Sequence, residues 1–154
     1  MPPAPIQCRQ AQRSDIPHMA RIWGIEKGEG GTSEERMTAY FEGQHHPQHA
    51  LSPRIIYAAF ERDALIGYIA GHLTRRLDCD AELQWIYVTP EWRRKGVASE
   101  LLRHLAAWFR EQHASRVCVN VSVSNLGAHC FYARNGALVM NPHWLVWPNM
   151  ATGS

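Results

Sequence analysis

The chain has 154 residues, 45% of them hydrophobic, and a formal net charge of +2 with neutral histidines. That length holds one domain with its own core, and so small a charge does not predict nucleic acid as a main partner, so none is expected. No apolar stretch approaches the roughly 18 residues of a membrane helix, and residues 1–10 lack the apolar run of a secretory signal. A cytoplasmic protein with no membrane contact is expected.

After a proline-rich start, Ile6 to Arg9 reads as a first strand. Ser14 or Asp15 supplies an N-cap for a helix carrying Ile16, Met19, Ile22 and Trp23, with Pro17 in its first turn, where proline is tolerated. Gly28-Glu29-Gly30-Gly31 predicts a loop, and Thr32 or Ser33 caps a second short helix to about Phe41. The segment His45-His46-Pro47-Gln48-His49 invites a metal, but Pro47 breaks the helix that would set His45 and His49 on one face, and no metal is expected. Cys8, Cys79, Cys118 and Cys130 are scattered with no C-x-x-C pair, as reduced thiols would be.

From Arg54 the pattern turns extended: Ile55 to Phe60 and Leu65 to Leu73 predict a hairpin, and a further strand runs from Glu82 to Val88. Val97, Leu101, Leu102, Leu105, Trp108 and Phe109 recur at helical spacing, one buried stripe against a sheet. Val117 to Val123 alternates strictly, putting its valines on one face of a strand. Strand, helix and strand at this spacing imply a parallel pair with a right-handed crossover, whereas the hairpin implies antiparallel pairing, so the sheet is mixed. Asn125 opens a helix that stops near Asn135-Gly136, and Leu138 to Met140 with Trp144 to Trp147 form a closing hairpin. Trp144 and Trp147 suit an apolar pocket, a homodimer contact or burial in the sheet, and the sequence leaves the three open.

Between the strand ending at Val88 and the helix beginning near Val97 lies Thr89-Pro90-Glu91-Trp92-Arg93-Arg94-Lys95-Gly96-Val97-Ala98. Amides at a helix start lack intrahelical partners and sit at the positive end of the helix dipole, so they can bind a diphosphate. Arg93, Arg94 and Lys95 add charge at the rim, while Gly96 and Ala98 keep side chains small. Alone, this turn is equally a solvated helix start. With Ser124-Asn125 and Phe131-Tyr132-Ala133-Arg134-Asn135-Gly136-Ala137, however, it resembles the GCN5-related N-acetyltransferases (GNAT), whose core pattern is Arg or Gln, two residues, Gly, one residue, then Gly or Ala.

The resemblance spans about Ile6 to Trp147 and implies a single N-acetyltransferase domain over residues 1–154, its core about 6–147, with flexible ends at 1–5 and 149–154. The implied fold is α/β: a mixed, mostly antiparallel sheet with a central splayed parallel pair and about four helices. Acetyl-CoA, the implied cosubstrate, would lie in the splay, its amide-bearing arm bonded to the backbone of Ile86, Tyr87 and Val88, its diphosphate on Arg93, Arg94, Lys95, Gly96, Val97 and Ala98, with Asn125 and Tyr132 also in contact. The early helices and their loop would help form the acceptor site. Arg94 stands where the family frequently has glycine, which implies a stiffer loop.

Acetyl transfer requires a neutral amine, because an ammonium has no lone pair. Glu82 aligns with a base that some members carry; a free glutamate, with a pKa near 4.3, is a poor base for an amine unless an apolar setting or a relaying water assists. It is equally a surface charge at a strand end. Gln84, two residues later on the expected same face, can hold water or substrate but cannot take the proton. Tyr132 is the candidate acid for the departing thiolate, weighed against a core tyrosine bonded to backbone, and an amide near Val88 would polarise the thioester oxygen. Cys130 lacks an evident activating base, and direct transfer needs no covalent intermediate. The expected activity is acetyl transfer to a primary amine of a small molecule or protein. The alternative is a non-catalytic acyl-CoA sensor.

Overall fold

The structure is a computed structural model describing residues 6–27, 30–44 and 50–150. Strand β1 (Ile6–Gln10) leads through a short 3-10 turn into helix α1 (Ile16–Lys27). Helix α2 (Gly30–Phe41) begins earlier than expected, so Thr32 and Ser33 lie inside it rather than at its cap. The predicted loop is correspondingly short, and its residues 28–29 lie outside the described residues, as do the histidine segment 45–49 and the ends 1–5 and 151–154. Strand β2 (Ala50–Glu61) starts before the predicted Ile55 because Pro53, which has no N–H for a ladder, falls at a register shift between Leu51 and Arg54.

Strands β3 (Ala64–Thr74) and β4 (Ala81–Val88) follow, then α3 (Val97–Glu111), β5 (Val117–Asn120), α4 (Leu126–Arg134), β6 (Leu138–Asn141) and β7 (Trp144–Trp147). β5 ends three residues short of the predicted Val123. Val117, Val119 and Val121 do share one core, but the Val121 amide donates to the His143 carbonyl and Val123 is 51% exposed. Gly136, at φ +97°, ends the α4 region in the left-handed conformation that suits glycine. Packing continues past the expected limit at Trp147: the Met150 side chain is buried and its amide donates to the Ser115 carbonyl at 2.7 Å, so residues 149–150 are not a loose end.

The seven strands are ordered β1-β2-β3-β4-β5-β7-β6, with β4–β5 parallel and every other neighbouring pair antiparallel. This is the mixed, mostly antiparallel sheet expected from the sequence. α3 and α4 cover one face, where Leu101, Leu105, Phe109 and Tyr132 pack on Leu83, Val117 and Val119. α1 and α2 cover the other, where Met19, Met37 and Tyr40 pack on Ile56, Tyr68 and Tyr87.

At Gly71 in β3 a Cβ would sit 2.8 Å from Phe109 Cζ and 2.9 Å from Leu105 Cδ1, so α3 rests directly on strand backbone. Gly71→Val is therefore expected to destabilise the fold by about 2 kcal/mol through overpacking, read as a lower urea midpoint at unchanged slope.

Candidate active site

β4 and β5 pair only at Ala81–Val117, Glu82–Cys118 and Leu83–Val119, whereas β4 runs on to Val88. The cause of the divergence lies on the other edge of β4. Gly71 of β3 faces Leu83 and the adjacent Ala70 faces Trp85, leaving Gln84 as an extra residue. A bulge of this kind bends and twists its strand. Beyond it a cavity of about 260 Å³ opens through the sheet, lined by Trp23, Met37 and Tyr68 from the α1/α2 side and by Asn125, Ala128 and Tyr132 from the α4 side. Gln84, Trp85 and Ile86 line it between them.

The Thr89 amide donates to the Ile66 carbonyl at 2.9 Å. Strand alternation therefore turns the backbone groups of Ile86 and Val88 away from β3, toward the opening, and those of Tyr87 toward β3. Of the three residues expected to offer backbone contacts, two are so oriented. The Tyr87 side chain belongs to the α1/α2 core.

The turn after β4 is braced by Arg93, whose Nε donates to the Val88 carbonyl at 2.8 Å and whose guanidinium lies 5.3 Å from the Tyr87 ring centroid. Arg94 has φ +63°, a left-handed conformation that disfavours non-glycine residues and accounts physically for a glycine preference at this position. Gly96 (φ +85°) caps α3 without any side-chain hydrogen bond, and a Cβ placed there would meet nothing within 4 Å. The amides of the first α3 turn lack intrahelical partners, and Gly96 and Ser99 line a cavity beside them. Val97 is buried and anchors the turn, Ala98 is half-buried, and the side chains of Arg94 and Lys95 are exposed, with Lys95 Nζ 5.1 Å from the Trp92 ring centroid.

Asn125 caps α4, its Oδ1 accepting from the Ala128 amide at 3.1 Å. Nearly two turns further on, Tyr132 is 4% exposed, edge-on to Trp147 at 5.7 Å, and its hydroxyl has no hydrogen-bond partner among the described residues. Burial pushes its phenol up from the ordinary value, so it is protonated at neutral pH.

Glu82 and Gln84 do not share one environment. The bulge interrupts the alternation, so Gln84 lines the opening with a buried Oε1 that has no partner among the described residues. Glu82 is buried under α2, its Oε1 3.4 Å from His72 Nε2, and is not among the cavity-lining residues. Burial rules out the surface-charge reading of Glu82. Cys130 is exposed and also stands outside the lining.

Trp23, Met37, Tyr68 and Trp85 of the lining had no motif to mark them, since α1, α2, β3 and β4 bring them together only in the fold. A larger cavity of about 550 Å³ runs along α3 from Gly96 to Arg110 against Asn135, Trp147 and Met150, bordering the turn after β4 at its Gly96 end. Among the described residues no cluster of three His, Cys, Asp or Glu side chains is placed to hold a metal, and no helix is long and apolar enough to cross a membrane.

The overall fold recurs in known structures. A GNAT-family protein from Desulfovibrio desulfuricans superposes with a TM-score of 0.74 at 16% identity, covering 93% of this chain and 97% of its own. An acetyltransferase from Thermus thermophilus gives 0.73 at 17%, covering 95% and 98%. PaiA N-acetyltransferase from Thermoplasma acidophilum, solved with coenzyme A, gives 0.67 at 18%, covering 92% and 96%. No match was found among curated proteins. The model of the Acetyltransferase (GNAT) family matches residues 19–137, from α1 across the bulged strand and its glycine turn to the end of α4, and the chain belongs to that family.

Proposed function

We propose that the protein is an N-acetyltransferase that moves the acetyl group of acetyl-CoA directly to a primary amine within a ternary complex. The observation that carries this reading is the cavity beyond the Gln84 bulge, lined by residues from both faces of the sheet, on a strand that leads through the Gly96 turn into α3. Donor and acceptor can thereby approach one another from opposite sides.

The residues present fit the donor. The first-turn amides of α3 and the exposed Arg94 and Lys95 offer positive charge to a diphosphate, over a Gly96 that leaves open space. Arg93 contributes chiefly by holding that turn to Val88. The backbone groups of Ile86 and Val88, the unpartnered Gln84 Oε1 and Asn125 are placed for the amide-bearing arm, much as a pairing strand would use them. Bound there, acetyl-CoA supplies a thioester activated for attack by an amine.

The chain's own groups then handle the charge. The Val88 amide, turned away from β3 on a strand that Thr89 bonds to Ile66, stabilises negative charge on the thioester oxygen. Tyr132 holds a proton in a dry setting at the slot wall and delivers it to the departing thiolate. Glu82 lies two residues before Gln84, roughly 7 Å along the strand, and takes the acceptor's proton through solvent rather than by contact.

The test combines calorimetry with acetyl-CoA and thiol release over a panel of small amines and peptide amino termini. Saturable binding and turnover with at least one acceptor are expected. Binding with silence across the panel would favour the acyl-CoA sensor, and absence of binding would remove both readings.

A further inference from the structure

A chain of three buried polar side chains runs behind the slot, one from each of three elements: Tyr40 of α2, His72 of β3 and Glu82 of β4. Tyr40 and His72 are wholly buried and Glu82 is 5% exposed. The Tyr40 hydroxyl lies 2.9 Å from His72 Nδ1, and His72 Nε2 lies 3.4 Å from Glu82 Oε1. The ladder itself sets the second approach, because His72 and Glu82 are direct partners in the antiparallel register. Tyr40 is held in turn by the Trp85 ring at 4.8 Å and by Arg54, whose guanidinium lies 4.8 Å from the Tyr40 ring centroid and donates to the Tyr40 carbonyl. Apolar side chains at these positions would avoid the desolvation that three buried polar groups incur, so packing alone does not account for them.

His72 Nε2 and Glu82 Oε1 approach to 3.4 Å without forming a hydrogen bond, and the direction of the one hydrogen bond, between Tyr40 and His72, follows from the chemistry. Burial, with a smaller push from Glu82, drives the Tyr40 phenol up despite the opposing pull of Arg54, so the hydroxyl keeps its proton and is able to donate it to Nδ1. A hydroxyl donating to Nδ1 leaves the imidazole proton on Nε2, the nitrogen that faces Glu82. The opposite tautomer would present a lone pair to a carboxylate.

We propose that His72, locked in one tautomer by Tyr40, is the positioning residue for Glu82 and holds its carboxylate where it can take the acceptor's proton. This rests on the reading of Glu82 as the base. In the step itself one N–H bond of the acceptor ammonium breaks and one O–H bond forms on Glu82 through solvent, while His72 and Tyr40 keep their own protons.

Tyr40→Phe keeps the ring against Trp85 and deletes only the hydroxyl. It is expected to lower kcat about tenfold while the acetyl-CoA dissociation constant stays within about twofold of the parent. His72→Leu is expected to fall as far as Glu82→Gln, and His72→Gln, whose amide can serve both neighbours, to recover most of the loss. In a Glu82→Gln background Tyr40→Phe is expected to cost nothing further, because the two act through one proton transfer. Acetyl-CoA binding reports folding of every variant. Loss of activity in Glu82→Gln with full activity in both Tyr40→Phe and His72→Leu would overturn the positioning role and leave the base in place. Full activity of Glu82→Gln would remove the base, and this proposal with it. Equal losses from Tyr40→Phe in both backgrounds would reduce the chain to a structural feature.

Discussion

Tyr132→Phe is expected to lower kcat about 100-fold with no change in acetyl-CoA affinity, since a positioned proton donor contributes about 10²–10⁴ to such a step. The structure makes this a clean substitution. The hydroxyl bonds to no described residue, and the ring packs edge-on against Trp147, whose Nε1 is itself bonded to the Asn135 carbonyl at 2.9 Å. Removing the oxygen therefore breaks no hydrogen bond among the described residues, and stability should shift by less than about 1 kcal/mol. Burial that raises the phenol also makes it a weaker acid, which would count against it if the thiolate were in water. A thiolate expelled into the same slot is destabilised by the same desolvation, so donor and acceptor move together. Rapid-quench turnover and calorimetry on the variant decide the matter. A kcat equal to the parent's would make Tyr132 a wall of the slot and nothing more.

The parts of the fold legible in the sequence are those that local chemistry decides. The stripe from Val97 to Phe109 forms one helix because its period is helical whatever it packs against, and all six of its predicted members are buried. Asn125 caps α4 and Gly136 turns out of it because side-chain capping and positive φ are properties of single residues. What escaped the sequence depends on how two strands meet. The bulge at Gln84 arises from the mismatch between the β3 and β4 ladders, and no residue in AELQWIYV signals it. Yet it separates Gln84 from the face of Glu82, and it coincides with the early end of β5, whose alternation of valines outlasts its partner strand. Likewise Tyr40, His72 and Glu82 are 32 and 10 residues apart along the chain and become neighbours only when α2 lies across β3 and β4.

That distinction bears on the turn proposed to hold the coenzyme's diphosphate, which is local and can be tested locally. Gly96→Asp should weaken acetyl-CoA binding about 100-fold or more. Two unit charges about 4 Å apart near a protein surface repel by about 4 kcal/mol, and solvent and salt reduce this to about the 3 kcal/mol that two decades require. Backbone strain is a small part of the expected loss, because Asp and Asn adopt the left-handed conformation more readily than other side chains, and at Gly96 a Cβ meets nothing within 4 Å. Gly96→Asn supplies the control: it has the same shape and φ demand without the charge, and should keep affinity within about tenfold of the parent. The loss in Gly96→Asp should also shrink as salt is raised, whereas a steric or folding defect would not respond that way. Equal affinities for the parent and Gly96→Asp at low ionic strength would show that the diphosphate lies elsewhere, and the long cavity beside α3, from Arg103 to Arg110, would then be the place to look.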